Sequence, residues 1–176
     1  MLEAVRAFKA VLDPLVDGFV FGVLSTSNAA ECEDIGKGGE EKRVGVDIQT
    51  NKRLVAEAAP FGCTFHRAFD DVLGAGSSAQ DAVQDVLNCD FDGILTSGGP
   101  GNAIDNLDVL KKVVSAVDGR MDVLVGGGVR ASNAERILEV VGGGERVWLH
   151  SSCLRGGEEV DESELRALAE AMEKTG

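Results

Sequence analysis

Five short apolar runs punctuate the chain: "GFVFGVLS" (18–25), "GCTFHRAF" (62–69), "FDGILTS" (91–97), "MDVLVGGG" (121–128) and "RVWLHSS" (146–152). They are rich in β-branched and aromatic residues and near-continuously apolar, the mark of strands buried on both faces of a parallel sheet. Between them the apolar period becomes helical. In "VDIQTNKRLVAEAA" (46–59), Ile48, Leu54 and Val55 share a face and Asp47 stands ready to cap. "SSAQDAVQDVLN" (77–88) repeats at Ala79, Val83, Val86 and Leu87, and "AIDNLDVLKKVVSAV" (103–117) at Leu107, Leu110 and Val114. "ASNAERILEVVGGG" (131–144) stops on glycines, a common helix ending. The last helix is "DESELRALAEAMEK" (161–174), striped by Leu165, Leu168 and Met172, with Ser163 as its cap. The first is "MLEAVRAFKAVLDPL", whose distributed charges suit an amphipathic helix and not a signal peptide.

This alternation implies one α/β domain over residues 1–176 with right-handed crossovers. One segment breaks the rhythm. "STSNAAECEDIGKGGEEKR" (25–43) is polar, acidic and without apolar period, and is expected to be a long surface loop inserted after the first strand. Five strands suit a doubly wound open sheet; a (β/α)₈ barrel needs eight and typically about 250 residues. Pattern and length alone favour the open sheet.

Composition narrows the partners. The net charge of −13 opposes binding to a phosphate backbone, so nucleic acid is excluded as a general partner. No apolar run approaches the roughly 20 residues of a membrane span, and a cytoplasmic protein with no membrane partner is expected. Cys32, Cys63, Cys89 and Cys153 are widely spaced, which fits neither a zinc ribbon nor a disulfide scaffold.

The candidate chemistry collects at the strand ends, where parallel α/β folds gather their functional groups. "HRAFD" offers His66 as acid/base, Arg67 as a planar fork for an anion, and Asp70. The structural alternative for Arg67 is an ion pair with Asp70 or Asp71 that seals the rim. "LTSGG" offers Thr96, Ser97 and Gly98 to a ligand. In "GGGVRAS", Gly127 and Gly128 precede a helix start, a combination that can cradle phosphate or serve as a plain turn. "HSS" adds His150 and Ser151, the second of only two histidines. Cys63 and Cys153 read first as small buried hydrophobes.

"CTFHRAFD", "ILTSGG", "VLVGGGVR" and "HSS", in this order and spacing, resemble the copper homeostasis protein CutC family, and the likeness extends upstream through "GFVFGVL" and "VDIQTNKRLVAEA". The resemblance implies a TIM-type (β/α)₈ barrel and overrules the open sheet. It also implies a partial barrel of about five parallel strands. Residue 1 would fall in the helix after the family's third strand, and "GFVFGVL" would be its fourth. The loop after "HSS" is cut to "CLRGGEEV", and the acidic insertion 25–43 is longer than usual. The chain is thus expected to be a truncated product, or a barrel completed by partner chains in a homo-oligomer.

By this resemblance the function is copper homeostasis with binding of copper as Cu(I), which prefers thiolate ligands. Cys63 and Cys153 are the metal-ligand candidates, with His66 and His150 as nitrogen donors. The alternatives are a TIM-barrel enzyme acting on a small phosphorylated or carboxylated metabolite through the strand-end residues, or an inactive truncated paralogue.

Overall fold

The computed structural model describes residues 1–28, 42–154 and 159–173. Its core is a five-stranded, all-parallel sheet of β1 (Gly18–Phe21), β4 (Gly62–Phe65), β5 (Gly93–Thr96), β6 (Asp122–Val125) and β7 (Val147–Leu149). Strands β2 (Leu24–Asn28) and β3 (Lys42–Val46) form a separate antiparallel pair. The helices are α1 (Leu2–Lys9), α2 (Ile48–Ala58), α3 (Ala68–Gly74), α4 (Ala79–Leu87), α5 (Leu107–Val117), α6 (Ala131–Val141) and α7 (Glu162–Glu173).

Strand order separates the two architectures. A doubly wound sheet reverses its order at a switch point, whereas here the order β1-β4-β5-β6-β7 runs one way through the chain. A singly wound parallel sheet puts every crossover helix on the same side, as a TIM-type barrel does. Alternation along each strand agrees. Phe21, Phe65, Ile94 and Val123 follow one another in register on one face, and Phe65, Ile94 and Val123 are buried with Leu54, Val83, Leu110 and Ile137 from the helices.

The opposite face carries two rows, Val20, Thr64, Gly93 and Asp122 in one and Leu95, Leu124 and Trp148 in the next towards the carboxyl end, and Val20 and Trp148 are 61% and 54% exposed. This is the side that would line the barrel interior. The sheet's outer strands, β1 and β7, each pair with one neighbour among the described residues.

Local chemistry sets the helix starts. Asp47 caps α2 as expected, accepting from Thr50 N and Oγ1 at 2.9 and 2.7 Å. Ser78 caps α4, accepting from Asp81 N at 3.1 Å. The cap of α7 is Asp161 and not Ser163: Asp161 Oδ1 accepts from Ser163 N at 2.9 Å and Glu164 N at 3.1 Å. Only a residue ahead of the first turn can reach those N–H groups.

Two further expectations change. The run 18–25 is not one strand, because the chain leaves the sheet after Phe21 and Leu24 begins the hairpin. Buried Asn51 fixes that turn, accepting from Val23 N at 3.0 Å and donating to Val23 O at 2.8 Å. The supposed insertion therefore has paired ends, while its remainder, 29–41 with Cys32, lies outside the described residues. The run 62–69 also divides: β4 stops at Phe65 and α3 starts at Ala68. The shortened loop after "HSS" lies partly outside the described residues, at 155–158.

Candidate functional site

The loops that follow β1, β4, β5, β6 and β7 meet at the carboxyl end of the sheet. His66 continues β4, its N–H donating to Phe21 O at 3.2 Å, and His150 continues β7, donating to Val125 O at 2.8 Å. His66 is two residues past Thr64 and His150 two past Trp148, so strand alternation puts both on the open face. A glycine makes room for His66. A Cβ on Gly22 would lie 3.0 Å from His66 Nδ1, and one on Gly126 would lie 3.5 Å from His150 Cδ2. His66 Nδ1 accepts from Ala68 N at 3.3 Å, which leaves Nε2 as the N–H of the neutral ring.

Arg67 reaches across the end of β5. Its Nε donates to Asp70 Oδ2 at 2.9 Å, and its Nη2 donates to Ser97 Oγ at 2.6 Å and Gly101 O at 3.3 Å. Nη1 is left with no partner among the described residues and would sit 3.3 Å from a Cβ on Gly127. The side chain is 45% exposed.

Asp70 is buried beneath Arg67 and organises the turn after β5. Its Oδ1 accepts from Thr96 Oγ1 at 2.5 Å, Ser97 N at 3.0 Å and Gly99 N at 3.2 Å, and Ser97 Oγ lies 2.8 Å from its Oδ2. Gly98 N completes the turn by donating to Thr96 Oγ1 at 2.8 Å. Thr96, Ser97 and Gly98 are thus buried supports whose polar groups point at one another and at Asp70, not at solvent.

The third glycine turn packs directly on this support. Gly127 has φ +92° and a Cβ there would come within 2.9 Å of Ser97 Cβ, so only glycine lets the two loops close. The N–H groups of Gly127 and Gly128 donate to no protein atom among the described residues. The start of α6, by contrast, is already filled: Ala131 N donates to the buried carboxylate of Glu164 at 2.7 Å. Ser151 is likewise engaged, its Oγ donating to Val129 O at 2.7 Å and accepting from Arg130 Nη1 at 3.1 Å. Arg130, which sequence reasoning left out, also donates to Leu154 O at 3.3 Å and ties the loops after β6 and β7 together.

The cysteine pair does not assemble. Cys63 is the second residue of β4, and its carbonyl accepts from Asp92 N, just ahead of β5, at the sheet's amino end. Cys153 lies beyond the carboxyl end of β7, three strand positions away, or about 14 Å before the offset along the strands is added. Burial, with a contribution from Asp92, pushes the Cys63 thiol up to about 11, so it is protonated near neutrality. Among the described residues no three His, Cys, Asp or Glu side chains are grouped to hold a metal ion. The two thiols therefore do not fit a shared Cu(I) site within this chain, because the sheet separates them.

A sequence model of the CutC family matches residues 18–154. A CutC family protein of Aliivibrio fischeri (strain MJ11) is 33% identical over 129 residues, covering 72% of this chain and 44% of that protein. The mouse copper homeostasis protein cutC homolog is 33% identical over 129 residues, covering 73% of this chain and 40% of that protein. The chain spans less than half the length of either relative. Among solved structures, the copper homeostasis protein CutC of Streptococcus agalactiae superposes with a TM-score of 0.50 at 23% identity, over 60% of this chain and 49% of that one. A structure described as native KDPGal gives 0.51 at 12% identity, over 74% and 56%. Both likenesses concern the fold, a TIM-type barrel of which this sheet is a part.

Proposed function

Because this chain belongs to the CutC family, we propose that it serves copper homeostasis, the role carried in the names of its relatives, through the mouth at the strand ends. The observation that supports this reading is convergence. Both histidines and Arg67 come to one end of the sheet, while the buried thiols stand at opposite ends of it. In this reading copper is the cargo of the pathway, and Cys63 and Cys153 fill the core.

The test is copper tolerance in a host from which its own family member has been deleted. This chain and its Cys63→Ala/Cys153→Ala variant should restore tolerance equally, and His66→Gln/Arg67→Gln should not. Rescue that fails on loss of the two thiols yet survives loss of His66 and Arg67 would overturn the proposal. In vitro, reduced wild-type protein titrated with Cu(I) against a competing chelator should show no tight equivalent that the double cysteine variant lacks.

A further inference from the structure

We propose that the mouth holds a tetrahedral oxyanion, the phosphate group of a small molecule, between Arg67 Nη1 and the backbone N–H groups of Gly127 and Gly128. The proposal rests on the mouth being the working surface, as above, but not on copper.

A guanidinium has five N–H donors. Three of those on Arg67 are engaged by Asp70, Ser97 and Gly101, which fixes the plane of the group, and the two on Nη1 remain. Such a cation is pre-organised, since its rotamer is held before any ligand arrives. Gly127 brings its backbone against this same nitrogen, as the 3.3 Å approach of a Cβ there shows. The N–H groups of Gly127 and of Gly128, the next residue along the turn, donate to no protein atom among the described residues and are the backbone donors of the proposed site. His66 and His150 lie on the open face at the same end of the sheet, and His66 presents Nε2–H.

Among the described residues, charge does not oppose the site. The carboxylate in contact with Arg67 is Asp70, whose two oxygens are saturated by hydroxyl and N–H donors from Thr96, Ser97 and Gly99. Its role is to position Arg67.

The donor geometry also selects the class of anion. A planar carboxylate is best met by two parallel N–H bonds from different nitrogens of one guanidinium, and here Nε and Nη2 are already spent. One free nitrogen combined with backbone N–H groups from another loop suits an anion with several oxygens pointing in different directions. The helix start of α6, where an anion is commonly bound, is excluded because Glu164 occupies it.

The probe is inorganic phosphate, followed by ¹H–¹⁵N spectra of the wild-type chain. Saturable shifts are expected at the Gly127 and Gly128 amides and the Arg67 side chain. Arg67→Gln, checked for folding by circular dichroism, should weaken binding about tenfold or more, the loss of one charge-assisted hydrogen bond. Lys111→Ser/Lys112→Ser, which removes two cations from the groove between α4 and α5, should leave it unchanged. Absence of shifts at Gly127 and Gly128 overturns the proposal, as does equal binding by folded Arg67→Gln or loss of binding in the lysine variant. Should Arg67→Gln fail to fold, the wild-type spectrum decides alone. Acetate that binds as tightly as phosphate overturns the tetrahedral assignment. None of these results depends on copper, so the site can fail while the role in copper homeostasis stands.

Discussion

Asp70 holds a buried carboxylate against the turn after β5 and, through it, sets the plane of Arg67. Asp70→Ala leaves buried N–H groups and a cation without their acceptor, and should cost about 3 kcal/mol or more. Asp70→Asn keeps one acceptor oxygen and should cost less; urea unfolding checks both. An alanine variant as stable as the wild type would contradict the role. Cys63 offers a second test at this scale. With its thiol pushed up to about 11, thiolate is scarce near neutrality, and the side chain is 1% exposed. In the native protein the Cys63 peptide should therefore resist alkylation at pH 8, and react once denaturant is added. Since its pKa is raised in the folded state, the linked stability falls as pH rises from the unfolded thiol's value towards about 11. Rapid native labelling of Cys63 at pH 8 would overturn this. The histidines and Arg67 were legible in the sequence because a charged pair closing an apolar run stands out. Asp70's part was not, since it depends on how closely the loops after β4 and β5 approach.

Elements with a strong apolar period formed where the pattern placed them, as α2, α4 and α5 show. The misreadings share a cause, which is short length. At four residues β4 is followed so closely by Phe69, Val72 and Leu73 that the run reads as one strand, yet those residues have the i, i+3, i+4 spacing of α3. The β2–β3 pair hides in a polar stretch because only Leu24, Val44 and Val46 of its residues pack on the core, too few to give the sequence a strand period. The join between α6 and α7 was invisible for another reason: a glutamate in an amphipathic helix normally faces water, and Glu164 is 2% exposed with its carboxylate on Ala131 N. Glu164→Ala should cost about 1–3 kcal/mol by leaving that N–H without its acceptor, and Glu164→Gln should recover much of it. Equal stability of Ala and Gln variants in urea melts would show that the cap contributes nothing.

For the whole molecule, singly wound strand order is what turns five strand ends into one mouth, since every functional loop must leave from the same edge. Among the described residues, the same order leaves the other face of the sheet without helices. Parallel sheets are normally covered on both faces, and unpaired outer strands invite association. The net charge of −13 opposes close approach of two copies, but Val20 and Trp148, both exposed on that face, are apolar and draw them together there. Trp148 is the chain's single tryptophan, so its fluorescence reports on this face alone. In dilute protein the emission should be red-shifted and readily quenched by acrylamide. As concentration or salt rises, screening the repulsion, emission should move to the blue as larger species appear in sedimentation. Val20→Lys, which places charge on the same face and keeps the reporter, should suppress both changes without lowering the melting temperature. Emission that is blue and protected at every dilution would mean the face is closed by some other contact, and the prediction of an open barrel wall would fall with it.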